Sequence, residues 1–292
     1  MKKNVYLFLA LVLLFAGCET STSSSDDYGE PPYSFTVEEI HVSADGMDIF
    51  GLAYIPEGAG RVPTLIYSPG FSATHESGEG YGKALAREGI AVYCLDFRGG
   101  SNNSQSEGAT TEMTMFTEQA DVEAAMAGLK SWDFVDSDNL FLMGASQGGM
   151  VSAITAAANA NDIRGLILEF PAFNISLAVH NDLGSFAPNS YATLDQVPDT
   201  VNLWGMELGR VYYEVLDGYD VYEHIGDYKR DVLIMHGDAD FLVPISYSER
   251  ALEVYQSAEL KVIPGAGHGF APPTDSALAI GYILDYIGKQ KR

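Results

Sequence analysis

Short apolar runs alternate with longer helical stretches along most of the chain after residue 60. The apolar runs predict buried strands, and the stretches between them have the periodicity of helices. Strands are predicted at 64–68, 90–95, 139–143, 165–169, 231–235 and 260–263, and helices at 80–88, 112–132, 148–160, 246–256 and 276–289. Apolar strands that alternate with helices are typical of a mostly parallel sheet covered on both faces. The pattern therefore predicts an α/β fold.

Two intervals depart from this pattern. Residues 35–43 and 47–55 alternate polar and apolar positions on either side of an Asp-Gly turn at 45–46. This arrangement predicts two antiparallel strands at the edge of the sheet. From about 173 to 228 the chain has many aromatic residues and no clear strand, and it is far longer than an ordinary strand-to-helix loop. We interpret this interval as an insertion that forms a cap over the sheet.

The first residues have the features of an export signal. Lys2 and Lys3 precede an apolar run over residues 5–16 that is too short to span a bilayer. The run ends in LFAGC at 14–18, which resembles the bacterial lipobox, in which the cysteine is lipidated and becomes the mature N-terminus. The resemblance implies a cell-envelope lipoprotein anchored in a membrane through Cys18. An ordinary cleaved signal with an incidental cysteine is the alternative.

The segment after this signal is rich in Ser, Thr, Asp, Gly and Pro, and it has too few apolar residues to order itself. We therefore predict a signal peptide at 1–17, a flexible tether at 18–34 and one folded domain at 35–292 that contains the cap. Cys94 lies in a predicted strand and is expected to be a buried apolar residue. No intrachain disulfide is then available once Cys18 is acylated.

The charge balance is strongly acidic, with 40 Asp and Glu against 16 Lys and Arg and a formal net charge of −24. A surface of this sign repels phosphate backbones and anionic lipid headgroups. Nucleic acids are therefore excluded as partners, and membrane contact is expected only through the lipid anchor. The same charge favours solubility outside the cell and a substrate that is neutral where it is cleaved.

The segment GASQGG at 144–149 is a GxSxG motif that follows a predicted strand and opens a predicted helix. A serine at such a turn is held in a strained conformation with its hydroxyl exposed at the sheet edge, and the glycines allow the strand and the helix to approach. A serine hydroxyl is a weak nucleophile at neutral pH and needs a neighbouring imidazole to accept its proton. Ser146 is therefore the candidate nucleophile.

Few residues can supply the base and the acid. Of the six histidines, His268 lies in a glycine-rich loop between the last strand and the last helix, where its ring can project over the sheet edge. His236 ends a strand and precedes a glycine, so we expect a structural hydrogen bond for it, whereas His75 is a candidate for lining the pocket. A carboxylate orients an imidazole best, and Asp238 and Asp240 both lie on the loop after the penultimate strand.

Two backbone N–H groups are candidates for an oxyanion hole, which a tetrahedral intermediate of ester cleavage requires. The N–H of Gln147 directly follows the nucleophile. The second donor is expected from the loop SPGF at 68–71, at Phe71, because Pro69 has no N–H. The segment DFRGGS at 96–101 resembles the DxRGxGxS turn of many α/β-hydrolases, a structural loop near the active site, which implies a structural role for Arg98. This chemistry needs no cofactor.

The chain resembles the bacterial α/β-hydrolases that include the cinnamoyl and feruloyl esterases. The resemblance rests on SPGF, DFRGGS, GASQGG, HGDADFLVP and GAGHGF and covers about residue 35 to the C-terminus. It implies that Ser146, Asp240 and His268 are nucleophile, acid and base, and that the N–H groups of Phe71 and Gln147 bind the oxyanion.

The resemblance also implies a cap that binds an aromatic acyl group, although these esterases usually carry His-Gly where this chain has Pro69-Gly70. With Asp240 as the acid, Asp238 is expected to cap the turn of its own loop. The aromatic residues of the cap are Tyr191, Trp204, Tyr212, Tyr213, Tyr219 and Tyr222. Such residues line an acyl pocket or form the core of the cap itself.

These observations predict a serine esterase that cleaves a small-molecule carboxylic ester through an acyl-enzyme, with hydroxycinnamoyl esters as candidate substrates. The first alternative is a serine peptidase of the prolyl-oligopeptidase-like type. The second is a surface binding lipoprotein that has kept the fold and lost the activity.

Overall fold

The computed structural model describes residues 32–175, 191, 193–271 and 273–291. They belong to a compact unit at Pro31–Arg292. The predicted signal peptide, Cys18 and nearly all of the predicted tether lie outside the described residues, as do positions 176–190 and 192 of the cap. Within the described ranges, no helix combines the length and the apolar character needed to cross a bilayer.

Eight strands form one sheet in the order β1-β2-β4-β3-β5-β6-β9-β10, and β7 and β8 form a separate hairpin. The strands are β1 (Phe35–Ala44), β2 (Met47–Pro56), β3 (Val62–Ser68), β4 (Ala91–Leu95), β5 (Val135–Ala145), β6 (Gly165–Glu169), β7 (Thr200–Leu203), β8 (Met206–Gly209), β9 (Val232–Gly237) and β10 (Ala258–Ile263). The pairs β1–β2 and β2–β4 are antiparallel, and the other pairs of the large sheet are parallel. The predicted α/β class is confirmed.

Helices cover both faces of the sheet. They are α1 (Glu79–Arg87), α2 (Met115–Leu129), α3 (Gln147–Ala158), α4 (Arg210–Leu216), α5 (Tyr222–Ile225), α6 (Ser246–Val254) and α7 (Pro273–Gln290). One cluster of buried apolar side chains joins the sheet to α2, α3, α6 and the cap. A second cluster joins the opposite face to α1 and α7, and it contains the buried, unpaired Cys94.

The boundaries of two elements differ from the sequence prediction for identifiable reasons. Helix α2 begins at Met115 rather than 112, because Thr114 and Thr117 form a capping box that starts the helix there. Strand β5 begins four positions before the predicted 139, because Val135 pairs with Val62 beyond a register shift. Both differences depend on contacts that a hydrophobic pattern does not contain.

The hairpin at the sheet edge follows from its turn. Asp45 and Gly46 have φ values of 53° and 83°. Two consecutive residues with positive φ are the requirement of the tight turn that matches the twist of paired strands. Ala44 is accordingly paired with Met47.

The predicted absence of a clear strand within 173–228 is wrong, because β7 and β8 lie there. The two strands are joined by Trp204 and Gly205, with φ values of 50° and 92°. The hairpin lies close to the main domain: the hydroxyl of Thr110 donates to the carbonyl of Glu207 at 2.5 Å. A side chain on Gly209 would overlap the carbonyl oxygen of Thr111 at 2.0 Å. The cap is thus held against the loop before α2.

Candidate active site

Ser146 occupies the turn between β5 and α3 with φ 53° and ψ −118°. This left-handed conformation is unfavourable for a residue with a side chain and is found at functional turns. A Cβ on Gly148 would lie 2.3 Å from the carbonyl oxygens of Ser68 and Pro69, so only glycine permits this approach of β3 to the start of α3. The local sequence therefore sets the serine at the carboxyl edge of the sheet.

The imidazole of His268 lies between Ser146 and Asp240. Its Nε2 is 2.9 Å from Ser146 Oγ, and its Nδ1 is 2.8 Å from Asp240 Oδ2. In the neutral ring, Nδ1–H donates to the carboxylate while Nε2 accepts the serine hydroxyl proton. The ring of Phe170 packs edge-on against the imidazole at 4.7 Å between centroids. The structure thus brings together the three side chains that the sequence singles out.

The Asp240 carboxyl is buried and has several hydrogen-bond donors around it. Its Oδ1 accepts the backbone N–H groups of Leu242 and Val243, both at 2.9 Å. Burial alone would raise the pKa of Asp240, but hydrogen bonds from His236, His268 and the Val243 N–H outweigh it and hold the pKa below its ordinary value. Asp240 is therefore a fixed anion next to the imidazole.

His236 also contacts this carboxylate. Its Nε2 lies 2.8 Å from the carbonyl oxygen of Val243 and 3.3 Å from Asp240 Oδ2, and its Nδ1 lies 2.7 Å from Ser248 Oγ. Because a carbonyl only accepts, Nε2 carries the proton. The predicted structural hydrogen bonds are confirmed, whereas the contact with Asp240 was not anticipated.

Asp238 joins the acid loop to the base loop. Its Oδ1 accepts the backbone N–H of Gly265 at 2.6 Å, just before the segment that carries His268. A side chain on Gly237 would lie 2.1 Å from the carbonyl oxygen of Ala266, so the two loops are in close contact. The side chain of Asp238 therefore joins two loops, whereas the sequence predicted that it caps its own turn.

The two predicted oxyanion donors lie on either side of Ser146. A Cβ on Gly70 would be 3.4 Å from Ser146 Cβ, which places the loop that carries Phe71 next to the nucleophile. The N–H of Gln147 is at the first position of α3, where the helix dipole favours negative charge. Within the described ranges neither N–H donates to another group. Both positions therefore suit the proposed donors.

The side chain of Gln147 belongs to a buried hydrogen-bond network. Its Nε2 lies 2.9 and 2.8 Å from the two carboxyl oxygens of Glu118 on α2. Its Oε1 accepts the hydroxyl of Tyr212 on α4 at 2.8 Å. Burial raises the pKa of Glu118 to about 8, although the hydrogen bond from Gln147 lowers it. The network ties the cap to the residue that follows the nucleophile, and no sequence signal indicated it.

A cavity of about 510 Å³ opens onto Ser146 and His268. Its walls are largely aromatic and include Tyr67, Phe71, Tyr81, Phe170, Trp204 and Phe270, together with Leu242, Glu169 and Ile280. Of the six aromatic residues predicted for the cap, Trp204 alone lines this cavity, and its ring packs edge-on against Phe71 at 5.7 Å. Tyr212, Tyr213 and Tyr222 are buried in the core, and Tyr191 and Tyr219 pack against it.

Two other candidates lie outside this cavity. His75 does not line this cavity, so the prediction that it lines the pocket is wrong here, and its Nδ1 instead lies 2.8 Å from the buried Asp96. Nε of Arg98 is 2.5 Å from Asp121 Oδ1, and its NH1 is 2.9 Å from Asp45. These ion pairs hold the loop after β4, as expected for a structural arginine.

The chain is similar to known proteins over most of its length. The family described as the prolyl oligopeptidase family matches residues 81–291. Two curated proteins of Mycobacterium tuberculosis, both named as uncharacterized, are 26% identical over 253 residues, which covers 83% of this chain and 76% of theirs.

Solved structures share the fold. Est1E from Butyrivibrio proteoclasticus with ferulic acid bound is 25% identical with a TM-score of 0.76, and the match covers 86% of this chain and 98% of Est1E. The Pyrococcus furiosus esterase Pf2001 is 18% identical with a TM-score of 0.67, over 88% of this chain and 92% of that one. At 18% identity the second likeness concerns the fold alone.

Proposed function

We propose that this chain, which belongs to the prolyl oligopeptidase family, is a serine hydrolase that cleaves carboxylic esters through an acyl-enzyme. The observation that carries the proposal is the continuous hydrogen-bonded chain from Ser146 through His268 to Asp240. The serine opens onto an aromatic cavity, and within the described ranges the backbone N–H groups of Phe71 and Gln147 beside it donate to no other group. Such a set has the parts that acyl transfer requires.

In the proposed cycle, Ser146 Oγ attacks the ester carbonyl carbon while its proton passes to His268 Nε2. The N–H groups of Phe71 and Gln147 stabilise the tetrahedral oxyanion. Collapse of this intermediate breaks the ester bond, and the leaving alkoxide takes the proton from His268 Nε2. Water then attacks the acyl-enzyme with His268 as base, which releases the acid and restores Ser146. Asp240 stabilises the imidazolium that forms in both halves of the cycle.

Removal of the nucleophile tests the activity. We expect Ser146→Ala to lower kcat on a p-nitrophenyl ester by about 10⁴-fold or more, because no other group forms the acyl-enzyme. The matched control is Ser152→Ala on the same helix, whose buried hydroxyl has no hydrogen-bond partner in the described structure. Equal turnover by Ser146→Ala and the wild type, measured by release of p-nitrophenol, would contradict the proposal.

We propose hydroxycinnamoyl esters as the substrate class. Two observations support this choice: the aromatic cavity beside Ser146, and the likeness to Est1E, which was solved with ferulic acid bound. Trp204 is 54% exposed and stands at the cavity next to Phe71, where a planar acyl group can stack.

Truncation of this side chain tests the substrate class. We expect Trp204→Ala to raise KM for a methyl hydroxycinnamate about 5-fold and to leave methyl butyrate turnover nearly unchanged, since a stacked aromatic contact contributes about 1 kcal/mol. Phe116→Ala is the control, because Phe116 is also exposed but pairs with Tyr219 away from the cavity. Equal effects on both esters would argue for a general carboxylesterase.

The family match itself favours a second candidate, a serine peptidase. A panel of ester and amide substrates with the same acyl group distinguishes the two activities. We expect ester cleavage to exceed amide cleavage, and the reverse order would establish the peptidase. Labelling by a fluorophosphonate probe that is lost in Ser146→Ala excludes an inactive binding protein.

We further propose that the protein is exported and anchored through a lipidated Cys18, on the basis of the N-terminal sequence alone. Metabolic labelling with a palmitate analogue should mark the wild type and spare Cys18→Ser. Cell fractionation should move the protein from the membrane to the soluble fraction in the same variant. Labelling that is unchanged in Cys18→Ser would contradict the anchor.

A further inference from the structure

A buried carboxyl group lies in the wall of the catalytic cavity and has no part in the cycle described above. Glu169 ends β6, is 1% exposed and lines the cavity. The hydroxyl of Tyr81, on α1, donates to Glu169 Oε1. Within the described ranges Oε2 has no hydrogen-bond partner. Oε2 is not among the buried polar atoms that lack a partner, so it is open to the cavity, where a ligand can supply the missing hydrogen bond.

Glu169 lies close to the reacting atoms. Its carbonyl oxygen accepts the backbone N–H of Ser146 at 2.9 Å, so the two residues are adjacent across neighbouring strands. Its side chain shares the sheet face of Ile167 and Tyr67, which is the face covered by α1 and α7. A substrate held at Ser146 can therefore extend directly toward this carboxyl.

The position of Glu169 assigns it to the alcohol side of the ester. Phe170, the next residue, packs against the ring of His268 and also against Phe270 of the base loop. His268 Nε2 delivers the proton to the departing alkoxide, so the alcohol must lie on the side of the base. Trp204 instead belongs to the cap and packs against Phe71, whose ring lies against the apolar cluster that contains the cap.

The chemistry of the Glu169 and Tyr81 side chains favours a hydroxyl group as the ligand. Burial raises the pKa of Glu169 to about 8, against the lowering effect of the hydrogen bond from Tyr81. The carboxyl is therefore mainly neutral at pH 7 and presents both a donor and an acceptor. Among the described residues that line the cavity there is no Lys or Arg, so an anionic alcohol would find no counter-charge from them. A hydroxyl, which donates and accepts, matches the pair.

We propose that Glu169 and Tyr81 form a subsite that binds a hydroxyl group on the alcohol portion of the substrate. The inference rests on the proposed esterase function and makes it more specific. It assigns esters of polyhydroxylated alcohols, such as glycerol or sugar esters, as preferred over simple alkyl esters of the same acid.

The test compares ethyl, 2-hydroxyethyl and 2,3-dihydroxypropyl esters of one hydroxycinnamic acid. We expect the wild type to show kcat/KM at least about 10-fold higher for an ester with a hydroxyl than for the ethyl ester, as one well-placed hydrogen bond provides. In Glu169→Leu and Tyr81→Phe this preference should fall to within about 3-fold of unity, while turnover of the ethyl ester persists. Glu169→Gln, which keeps a donor and an acceptor, should retain part of the preference.

Tyr282→Phe is the control, because this tyrosine lies on α7 outside the cavity. If Glu169→Leu does not fold, Tyr81→Phe carries the test, since it removes one oxygen atom only. An unchanged preference in both variants, or no preference in the wild type, would overturn the subsite while the esterase stands. If the wild type prefers a 2-ammonioethyl ester and Glu169→Leu loses this preference, the subsite binds a cation and the proposed hydroxyl ligand is refuted. Failure of every ester to react, with no fluorophosphonate labelling of Ser146, would refute the proposed function and the subsite with it.

Discussion

One carboxylate serves two imidazole rings in this site. Asp240 accepts from His268, which faces the nucleophile, and its Oδ2 also lies 3.3 Å from Nε2 of His236, which is buried behind it. Two backbone N–H groups complete its shell. A carboxylate with this many donors has little freedom to rotate, so the orientation of His268 is fixed in advance of the reaction. His236 is thus a positioning residue.

Replacement of His236 tests this role. We expect His236→Phe to lower kcat about 10-fold with little change in KM, because a hydrogen bond to a charged group contributes about 1.5–3 kcal/mol. His224→Phe, on an exposed turn of α5 where the ring stacks on Tyr219, should leave both constants unchanged. Steady-state kinetics on one ester gives both values, and an unchanged kcat in His236→Phe would show that the other donors suffice.

At this scale the sequence predicted the types of residue but not all of their contacts. The motif around Ser146 and the loop of His268 have local features that determine where the side chains project. The contact of His236 with Asp240 depends instead on how two carboxylate oxygens are directed, which no local pattern contains. For the same reason Glu169 gave no signal: it ends an apolar strand, and its partner Tyr81 is far away in the chain.

At the scale of elements, three helices meet at one glutamine. Gln147 on α3 donates to Glu118 on α2 and accepts from Tyr212 on α4. The cap is inserted between β6 and β9, yet through this network it contacts the first turn of the nucleophile helix. Because the backbone N–H of Gln147 is also a proposed oxyanion donor, the position of the cap influences the position of that donor.

Removal of two different tyrosine hydroxyl groups distinguishes the contribution of this network to stability from the effect of removing any buried hydroxyl. We expect Tyr212→Phe to lower the free energy of unfolding by about 1 kcal/mol and the Tm by about 2 °C, because it leaves a buried amide oxygen unsatisfied. Tyr255→Phe should be neutral or stabilising, because that buried hydroxyl has no partner in the described structure. Thermal unfolding compares the two variants, and equal effects would contradict the importance of the network.

The elements of the large sheet could be predicted because each strand is apolar over several consecutive positions. The hairpin β7–β8 could not, since its strands have four residues each and alternate buried with exposed positions over too short a length. Its place depends on contacts with the loop before α2. Short elements stabilised by tertiary contacts leave little trace in a periodic pattern.

At the scale of the whole molecule, burial raises the pKa of three carboxyl groups among the described residues, Glu118, Asp121 and Glu169, and the rise is largest for Glu118 and Glu169. The chain has a formal net charge of −24. Burial raises the pKa of both Glu118 and Glu169 from 4.5 to about 8. Between these values the folded state binds protons that the unfolded state has released, so folding becomes less favourable as the pH rises.

The free energy of unfolding should therefore decrease between about pH 4.5 and pH 8 and level off above it. The decrease is on the order of 5 kcal/mol for each of the two groups, since each pKa unit corresponds to about 1.4 kcal/mol. The double variant Glu118→Gln, Glu169→Gln should make the dependence much shallower, with a remainder from Asp121, whose pKa burial raises to about 6. The control Glu39→Gln, Glu57→Gln removes the same charge from exposed positions and should keep the slope. Urea unfolding at pH 5, 6.5 and 8 provides the comparison, and parallel slopes in all three proteins would refute the expectation.

Cys94 is fully buried in the second apolar cluster, and burial raises the pKa of its thiol well above the ordinary range. Thiol reagents act on exposed thiolates, so the native protein prepared without residues 1–18 should not react with a maleimide. A cysteine introduced at the exposed Glu207 on β8 would then be the single labelled position. A fluorophore attached there would report in real time how the hairpin that carries Trp204 responds as an ester enters.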